Sequence, residues 1–454
     1  VNQDLNFITP VGPTDYSVYD VAAPGNGIAY FVPGGLTAAG GNAYYRAKLF
    51  YLKNNKWNSF TMSNTPELSL PRDFLNLVVD PKNYNHVLSG SWGHGVWDFT
   101  IQNNEVTNLV QYHEDNSALQ NIIPTSPHQY IWIGGMAYDP SGNLWISNAG
   151  VDKPMVVKKK NGQWASFSGN DLLKGRGSKK LIVSSYGYKW LILTDERGLF
   201  VMDDRGSIDN TSDDRYNLFS VKDQENETSN KILSIAEDRD GTIWVGTALG
   251  VLTYYNQESV FSGTPTAYRI IQEINGDAQY LLKSEAISAV AIDGANRKWF
   301  GTQKSGVFLI SSDGSSQIMN FTTSNSPLAS NNITSLAIDP QTGEVYIGTD
   351  KGLFSYKGTA NDGNTNFSGI LVFPNPVREN YTGLITIKGL MENSNVKITD
   401  INGNLVYETT SNGGMAIWNG KNFENKRVAT GVYLVFCTTS MGEKSAVEKL
   451  LFIH

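Results

Sequence analysis

Five histidines and a single cysteine are the residues of this chain best suited to metal binding or nucleophilic chemistry. The histidines are His86, His94, His113, His128 and His454. Their spacing matches neither the His-x3-His nor the His-Glu-x-x-His pattern of metal sites, so we expect solvated loop histidines, no metal site and no cofactor. Cys437 lies within an apolar segment, which favours a buried and unreactive thiol.

A dense acidic segment runs from Asp203 to Asp214. Carboxylates bind Ca²⁺, but this segment lacks the ligand order and the closing glutamate of an EF-hand loop, so it predicts a solvated turn. The chain also lacks a Gly-x-Ser-x-Gly motif and a glycine-rich phosphate loop. We therefore predict that the protein has no catalytic residues and is not an enzyme. A glycan-processing enzyme stays open as an alternative, because paired carboxylates cannot be picked out among 43 acidic residues.

Two short aromatic segments are candidates for ligand binding. Tyr44 and Tyr45 stand beside Arg46, and Trp92 and His94 belong to the segment Ser-Trp-Gly-His-Gly. Aromatic side chains with a polar neighbour can stack on sugar rings when they are exposed. Packing inside the fold is the alternative interpretation for these residues.

The overall composition excludes several classes of protein. The chain has 454 residues, with 36 basic and 43 acidic side chains and a net charge of −7, and it has no basic run beyond Lys158, Lys159 and Lys160. It therefore lacks the electrostatic footprint of a nucleic-acid-binding protein. No apolar run approaches the roughly 18 residues that a membrane-spanning helix requires. The 44 glycines and the 17% of charged residues indicate a turn-rich, all-β protein.

A repeat of roughly 46–59 residues occupies most of the chain. In its clearest copies an apolar segment ends in Asp238, Asp293 or Asp339, and an aromatic-Gly-Thr segment follows, with Trp244 and Trp299 in the first two copies. Each copy predicts three or four short strands joined by Asp-x-x-Gly turns. Such units cannot bury both faces alone, so we predict a seven-bladed β-propeller over residues 1–360. The repeated aspartates and tryptophans are then turn and packing residues.

The chain changes character after the propeller repeats. Residues 361–369 are polar and rich in glycine and asparagine, as in a linker, and residues 370–454 alternate polar and apolar positions as about seven strands of a small Ig-like β-sandwich. This tail contains a series of short motifs, each present once and in this order, formed by Pro374, Asn375, Pro376, Asp400, Gly403, Trp418, Gly420, Gly431 and Tyr433.

Both parts resemble known families. The Asp-x-x-Gly and Trp-Val-Gly-Thr pattern resembles the propeller repeats in periplasmic sensors of hybrid two-component regulators from Bacteroides-like bacteria. The ordered motifs of residues 370–454 resemble the type A C-terminal sorting domain of proteins exported by the type IX secretion system of Bacteroidetes.

Together, the two parts resemble a component of this secretion system that has two propellers and the same tail. The resemblance implies a scaffold on the outer membrane surface, with sortase and attachment-complex proteins as partners and anionic lipopolysaccharide or another glycan as a ligand. It also implies that a first propeller is absent from this chain. Because the chain begins at Val1 rather than Met, we expect that a signal peptide or a larger N-terminal region has been removed. The alternative is a periplasmic propeller that senses an oligosaccharide.

Overall fold

The computed structural model describes residues 5–8, 17–37, 40–53, 56–274 and 276–453. Half of the chain is strand and 2% is helix. The helical part within these residues consists of two 3₁₀ turns, Pro66–Ser69 and Glu258–Phe261. No helix among the described residues is long and apolar enough to cross a membrane. The predicted all-β class is confirmed.

The chain forms two compact units. The first contains Val1–Ile292, Lys298–Ile338 and Val345–Tyr356, and the second contains Asp293–Arg297, Asp339–Glu344 and Lys357–His454. The second unit thus combines the tail with two of the repeated turns. The boundaries predicted from the sequence, with a linker at residues 361–369, stay a prediction.

The first strands of the first unit follow the predicted repeats. They are β1 (Leu5–Ile8), β2 (Asp20–Gly25), β3 (Ile28–Val32), β4 (Leu49–Lys53), β5 (Lys56–Phe60), β6 (Phe74–Asp80), β7 (Asn83–Gly93), β8 (Val96–Gln102), β9 (Glu105–Tyr112), β10 (Ile131–Tyr138), β11 (Leu144–Ala149), β12 (Met155–Lys158) and β13 (Trp164–Phe167).

The later strands of the first unit continue the same pattern. They are β14 (Ser178–Val183), β15 (Lys189–Leu193), β16 (Leu199–Asp203), β17 (Arg215–Phe219), β18 (Lys222–Asp223), β19 (Ile232–Glu237), β20 (Ile243–Thr247), β21 (Gly250–Tyr254), β22 (Thr266–Ala267), β23 (Ile271–Ile274), β24 (Asp277–Tyr280), β25 (Ile287–Ile292), β26 (Lys298–Thr302), β27 (Val307–Ile310), β28 (Gln317–Phe321), β29 (Ile333–Ile338), β30 (Glu344–Thr349) and β31 (Gly352–Lys357).

Antiparallel meanders build the sheets of the first unit. The first strands of successive meanders contact one another in the cyclic order β2, β6, β10, β14, β19, β25, β29 and back to β2. The strand β1 pairs with β31 and so becomes the outer strand of the sheet that holds the last repeat. This closed order is the arrangement of a β-propeller. The expected number of seven blades stays a prediction, because β6–β9 and β10–β13 are joined in a single eight-stranded sheet.

Two of the repeated aspartate turns contact the sheet that follows them. Asp238 accepts a hydrogen bond from the indole Nε1 of Trp244 at 2.8 Å and pairs with the buried Nζ of Lys298, on the following sheet, at 3.0 Å. Lys298 Nζ also lies 4.8 Å from the centroid of the Trp244 ring. In an earlier copy, Asp139 accepts the Trp145 indole N–H at 3.1 Å, and Lys189 lies over that ring. The turn and packing role predicted for Asp238 and Trp244 is confirmed.

The tail strands of the second unit form two sheets. The strands are β32 (Leu371–Phe373), β33 (Ile385–Lys388), β34 (Asn395–Thr399), β35 (Leu405–Thr410), β36 (Met415–Trp418), β37 (Gly431–Thr438) and β38 (Ser445–Phe452). Their sheet orders are β32-β33-β36 and β35-β34-β37-β38. One buried cluster contains side chains from both sheets, including Ile387, Trp418 and Val435. Apolar residues at alternate strand positions therefore meet in one core, as in a sandwich.

Candidate functional site

The buried carboxylate of Asp73 organises the segment that carries the two candidate tyrosines. It accepts the backbone N–H of Tyr44 at 2.8 Å and that of Tyr45 at 2.9 Å. The main chain of Asp73 adds two further bonds: its N–H donates to the Tyr45 carbonyl, and its carbonyl accepts the N–H of Trp92. Burial raises the pKa of Asp73, while the hydrogen bonds that it accepts act in the opposite direction. Asp73 thus joins two candidate segments that are distant in sequence.

The two tyrosines are exposed, as stacking requires. Tyr44 is 73% exposed and Tyr45 is 53% exposed. Tyr44 has a φ of 61° and Asp73 a φ of 49°, a left-handed conformation that is uncommon for residues other than glycine. The hydrogen bonds to the Asp73 carboxylate hold this strained conformation in place.

Two arginines accompany the tyrosines. Arg46 and Arg72 form a backbone bridge with each other, and Arg46 is exposed. The Arg72 guanidinium donates to the carbonyls of Ser69 and Leu70. Neither arginine pairs with a carboxylate of the described residues; Arg46 directly follows the two tyrosines, and the half-buried Arg72 is held next to it by the backbone bridge. We call Tyr44, Tyr45, Arg46 and Arg72 the tyrosine–arginine surface.

Trp92 belongs to the interior rather than to this surface. Trp92 is 5% exposed, and its ring stacks on Trp132 with centroids 5.2 Å apart and planes 10° apart. Packing, the alternative left open by the sequence, therefore describes Trp92 better than a sugar-stacking role. The indole Nε1 atoms of both tryptophans are buried and lack a hydrogen-bond partner among the described residues.

His94 lies in the tight turn between β7 and β8. Gly95 has a φ of 67°, and a Cβ atom there would lie 2.1 Å from the carbonyl oxygen of Tyr112, so only glycine fits. Burial, and secondarily the charge of Arg72, lower the pKa of His94 to about 4. Its ring is therefore neutral at physiological pH. Its buried Nδ1 has no hydrogen-bond partner in the part of the chain that the structure describes.

A second group of cations, which sequence reasoning missed, lies where two innermost strands begin. Lys179 and Lys180 belong to β14, and Lys231 directly precedes β19; all three side chains are exposed. Although the Lys179 side chain reaches solvent, the packing around its ammonium group and then the charge of Lys231 lower its pKa, while the charge of Asp195 acts in the opposite direction. None of the three forms an ion pair with a described carboxylate. The three lysines are spread over 53 residues of sequence, so they do not form a basic run that sequence analysis could detect.

The first motifs of the tail form local structural contacts. The peptide bonds before Pro374 and Pro376 are cis. Between them, the Asn375 side chain donates to the Lys449 carbonyl at 2.8 Å and accepts the Leu451 N–H at 3.1 Å, which attaches this segment to β38. This pairing role of Asn375 was not visible in the sequence.

The later tail motifs also organise turns and the core. Asp400 accepts the N–H groups of Asn402 and Asn404, and Gly403 has a φ of 85°, as an Asp-x-x-Gly turn requires. Trp418 is buried and donates to the Lys421 carbonyl at 2.7 Å, close to Gly420, which also has a positive φ. In contrast, Gly431 is the first residue of β37 and pairs with Phe452. The hydroxyl group of Tyr433 donates to the Ala429 carbonyl.

The single cysteine and two aspartates of the acidic segment take part in the fold and are not free to bind a ligand. Cys437 is buried, and burial raises the pKa of its thiol to about 12, as expected for an unreactive cysteine. In the acidic segment, Asp203 binds Arg215 at 2.7 Å and Asp204 binds Lys189 at 2.7 Å, so these carboxylates already have cationic partners.

The histidines fall into different environments. His86 lies between two carboxylates, with Nε2 2.6 Å from Asp98 and Nδ1 3.3 Å from Asp80. The hydrogen bond to Asp98 is the main reason that the pKa of His86 is raised. His113 and His128 instead come together, with ring centroids 3.9 Å apart. His454 lies outside the described residues.

Comparisons with protein families agree with both resemblances. Residues 371–453 match the model of the secretion system C-terminal sorting domain, and residues 226–248 match that of the two component regulator propeller. No match was found among curated proteins.

Comparisons with solved structures show where this fold occurs. The extracellular domain of the putative hybrid two component system BT3049 from B. thetaiotaomicron is 13% identical, with a TM-score of 0.54, over 100% of this chain and 58% of that chain. A catalytically inactive virginiamycin B lyase from Staphylococcus aureus is 10% identical, with a TM-score of 0.52, over 78% of this chain and 99% of that chain. At such identities only the propeller fold is shared.

A third structure is more similar. PorZ from Porphyromonas gingivalis, an essential bacterial surface component of the type IX secretion system, is 28% identical with a TM-score of 0.70. The similarity covers 98% of this chain, which spans 61% of that PorZ chain. The chain is therefore similar to PorZ over nearly its whole length, and it carries a segment that matches the sorting domain of secreted proteins.

Proposed function

We propose that this chain is a non-enzymatic scaffold of the type IX secretion attachment complex on the outer membrane surface, and that its first unit binds anionic lipopolysaccharide. The similarity to PorZ and the sorting-domain match support the secretion context. The ligand, the partners and the location on the outer membrane are parts of the proposal.

The observation that carries the ligand proposal is the tyrosine–arginine surface. Tyr44 and Tyr45 offer exposed rings that can stack on sugars, and Arg46 offers a guanidinium without a carboxylate partner among the described residues. Guanidinium groups bind phosphate and carboxylate oxygens through paired, charge-assisted hydrogen bonds. A sugar chain that carries acidic groups can bind both the aromatic rings and the guanidinium group, whereas a neutral sugar chain lacks the charge that the guanidinium group binds.

The lysine group supports the same class of ligand. Lys179, Lys180 and Lys231 are exposed and have no ion-pair partner within the described ranges, although the chain has a net charge of −7. Unpaired like charges repel one another, and a bound anion removes that repulsion. This local concentration of positive charge in an acidic protein favours an anionic ligand.

The non-enzymatic part of the proposal rests on the chemistry of the candidate groups in each unit. A general base needs a partner that orients it, and a nucleophile needs an accessible, activated atom. His94, which lies near Arg72, has an Nδ1 without a hydrogen-bond partner among the residues described. The buried thiol of Cys437 is protonated at physiological pH. These groups favour binding over turnover.

The test is binding of purified anionic lipopolysaccharide, compared with a lipopolysaccharide that lacks the acidic sugar chain, to the immobilised full chain. We expect the doubly substituted Tyr44→Ala, Tyr45→Ala protein and the Arg46→Ala protein each to lose about tenfold in affinity for the anionic form. Their melting temperatures should match the unsubstituted protein, because the three side chains lie on the surface.

Tyr186→Ala provides the matched control, since Tyr186 is 62% exposed but belongs to another repeat. Equal affinity for both lipopolysaccharides, or an equal loss with Tyr186→Ala, would contradict the ligand proposal. Release of a shortened sugar product over time would contradict the non-enzymatic role.

For the second unit we propose docking to sortase-complex proteins through the outer face of β37 and β38. Val432 pairs with Leu451 and each is 37% exposed, and Val447, 50% exposed, pairs with Phe436. Adjacent exposed apolar residues are typical of protein interaction sites. We expect Leu451→Lys to abolish recovery of sortase-complex proteins from outer-membrane extract.

Ile401→Lys is the control for this docking experiment, since Ile401 is 72% exposed but lies in the turn between β34 and β35. Equal recovery with both variants would contradict docking through this face, without affecting the lipopolysaccharide proposal.

A further inference from the structure

The loop between β9 and β10 brings two histidines and an aspartate together. His113 directly follows β9, and His128 stands three residues before β10. His128 Nε2 lies 2.7 Å from Asp115 Oδ2, and His113 Nδ1 lies 3.9 Å from the same oxygen. One potential ligand atom from each of the three residues lies within 4.8 Å of the others. Among the described residues, these three form the one group of His, Cys, Asp or Glu side chains close enough together to hold a metal ion.

A neighbouring carboxylate oxygen lacks a partner. Glu114 Oε1 accepts the N–H of His128 at 2.8 Å and the side-chain amide of Asn121 at 3.1 Å. Glu114 Oε2 is buried, has no hydrogen-bond partner among the described residues, and lies 3.9 Å from His113 Nδ1. A buried carboxylate oxygen without a partner costs free energy, and a cation beside His113 would remove that cost.

His86 shows what a histidine with only a structural role looks like in this protein. Both of its ring nitrogens are within hydrogen-bonding distance of carboxylates, Asp98 on one side and Asp80 on the other. No lone pair remains for a metal ion when both nitrogens carry protons. In the loop, His113 Nδ1 accepts the Asp115 backbone N–H at 3.3 Å and His128 Nε2 lies 2.7 Å from the Asp115 carboxylate, but the second nitrogen of each ring has no hydrogen-bond partner among the described residues.

We propose that His113, Asp115 and His128 bind a divalent transition metal ion of the zinc class, and that the negative charge of Glu114, beside His113, supports its binding. Two imidazole nitrogens and carboxylate oxygens suit Zn²⁺, whereas Ca²⁺ and Mg²⁺ prefer sites made of oxygen alone. Zinc bonds of about 2.0–2.2 Å in a tetrahedral site place neighbouring donor atoms roughly 3.3–3.6 Å apart.

The observed spacings are close to that requirement. Between Asp115 and the two histidines, the 2.7 Å pair must open by roughly 0.6–0.9 Å and the 3.9 Å pair must close by roughly 0.3–0.6 Å. Side-chain rotations of the exposed Asp115 and of His128 can supply such shifts, because neither side chain is enclosed by the core: Asp115 is 69% exposed and His128 is 45% exposed.

Metal binding would connect the two ends of a long loop. Residues 113–130 contain no strand or helix, and loops of this length in compact domains usually have a binding or regulatory role. The loop continues into β10, where Ile131 and Trp132 pair with Gly93 and Trp92. The ion would therefore hold the segment that positions the stacked tryptophans.

The experiment is titration of the full chain, freed of metal with a chelator, with Zn²⁺ alone and with Co²⁺ as a spectroscopic probe. We expect one equivalent to bind, Co²⁺ to give the visible absorption of a tetrahedral site, and Ca²⁺ and Mg²⁺ not to compete. His113→Ala and His128→Ala should each weaken Zn²⁺ binding at least tenfold, and the isosteric Asp115→Asn, an exposed change that the fold tolerates, should do the same.

His86→Gln is the matched control, because it removes a histidine from the same part of the chain but not from the loop. Binding that is lost in the three loop variants and kept in His86→Gln supports the site. Absence of stoichiometric binding, or binding that is equal in all four variants, overturns it. Neither result depends on the lipopolysaccharide assay, so this inference and the proposed function can fail separately.

Discussion

The repeated turns and the long loops of the first unit use their polar groups in opposite ways. In the turn after β19, Asp238 satisfies the indole N–H of Trp244, the N–H of Thr242 and the ammonium group of Lys298. In the β7–β8 turn and the β9–β10 loop, His94 Nδ1 and Glu114 Oε2 are buried without partners among the described residues.

This difference separates folding from binding. A polar group that is used by the fold has no capacity left for a ligand, whereas an unpartnered buried group gains free energy when a ligand arrives. The loops also contain residues other than glycine in the left-handed region, including Tyr44, Asp73 and His128. Such strain collects at functional sites. The repeats therefore provide the scaffold, and their irregular connections carry the candidate sites.

The largest expected effect is on the repeated turn. Asp238→Ala leaves the ammonium group of Lys298 buried without its carboxylate partner and removes the acceptor of the Trp244 indole. We expect a loss of about 3–5 kcal/mol in the free energy of unfolding, measured by chemical denaturation followed by tryptophan fluorescence. Asp277→Ala, at an exposed hairpin position, should change it by less than about 0.5 kcal/mol. Similar values for both variants would contradict the structural role of the repeated aspartate.

A glycine pair sharpens the comparison. Gly95 and Gly162 both have positive φ, but a Cβ at Gly95 would lie 2.1 Å from a backbone oxygen, while a Cβ at Gly162 would have nothing within 4 Å. We expect Gly95→Ala to cost about 2–4 kcal/mol in unfolding free energy, and Gly162→Ala only about 1 kcal/mol from its backbone conformation. Equal losses would show that the turn beside Trp92 relaxes freely.

The third prediction concerns His86, whose raised pKa makes its contribution depend on pH. The folded protein retains the His86 proton at pH values where the unfolded chain has lost it. The resulting stability is fully present below the unfolded pKa of about 6.5 and is lost as pH rises through the folded pKa. The Asp98 carboxylate that faces His86 also lies 3.9 Å from Lys158 and accepts a hydrogen bond from the Tyr112 hydroxyl.

We expect His86→Gln to lower the free energy of unfolding by about 1.5–3 kcal/mol near pH 5.5 and by less near pH 9, measured by denaturation at both pH values. A cost of His86→Gln that is independent of pH would contradict the paired geometry.

The pH dependence expected for His94 has the opposite sign. Because its pKa is about 4 in the folded protein, its contribution to stability decreases as pH falls from about 6.5 toward that value.

The smallest effect on stability is expected on the tyrosine–arginine surface. Tyr45→Ala removes a side chain that is 53% exposed and should change the unfolding free energy by less than about 0.5 kcal/mol. Its N–H bond to Asp73 uses the main chain and remains. A large loss in the same denaturation experiment would assign Tyr45 to packing instead of binding.

Much of the scaffold could be predicted because its signals are local. The Asp-x-x-Gly turns and aromatic strands recur at similar spacing, and the predicted fourth strands at Trp57, Trp164 and Ile318 are strands in the structure. The candidate site was harder to predict. By residue type, Tyr44, Tyr45 and Trp92 were all candidates for an exposed aromatic surface, with packing as the other interpretation. The sequence could not choose between the two, because neighbouring residues do not show which side of a strand the core covers.

The amino-acid sequence alone determined the repeat, the turn chemistry, the all-β class and the separate character of the tail, since each depends on residues a few positions apart. Only the tertiary structure decided that Asp73 holds the tyrosine segment, that Trp92 is buried against Trp132, and that His113 meets His128. These contacts join residues on neighbouring strands or at distant positions of the connections between them. They form only when adjacent strands and sheets pack together, and the sequence of one short segment does not contain that packing.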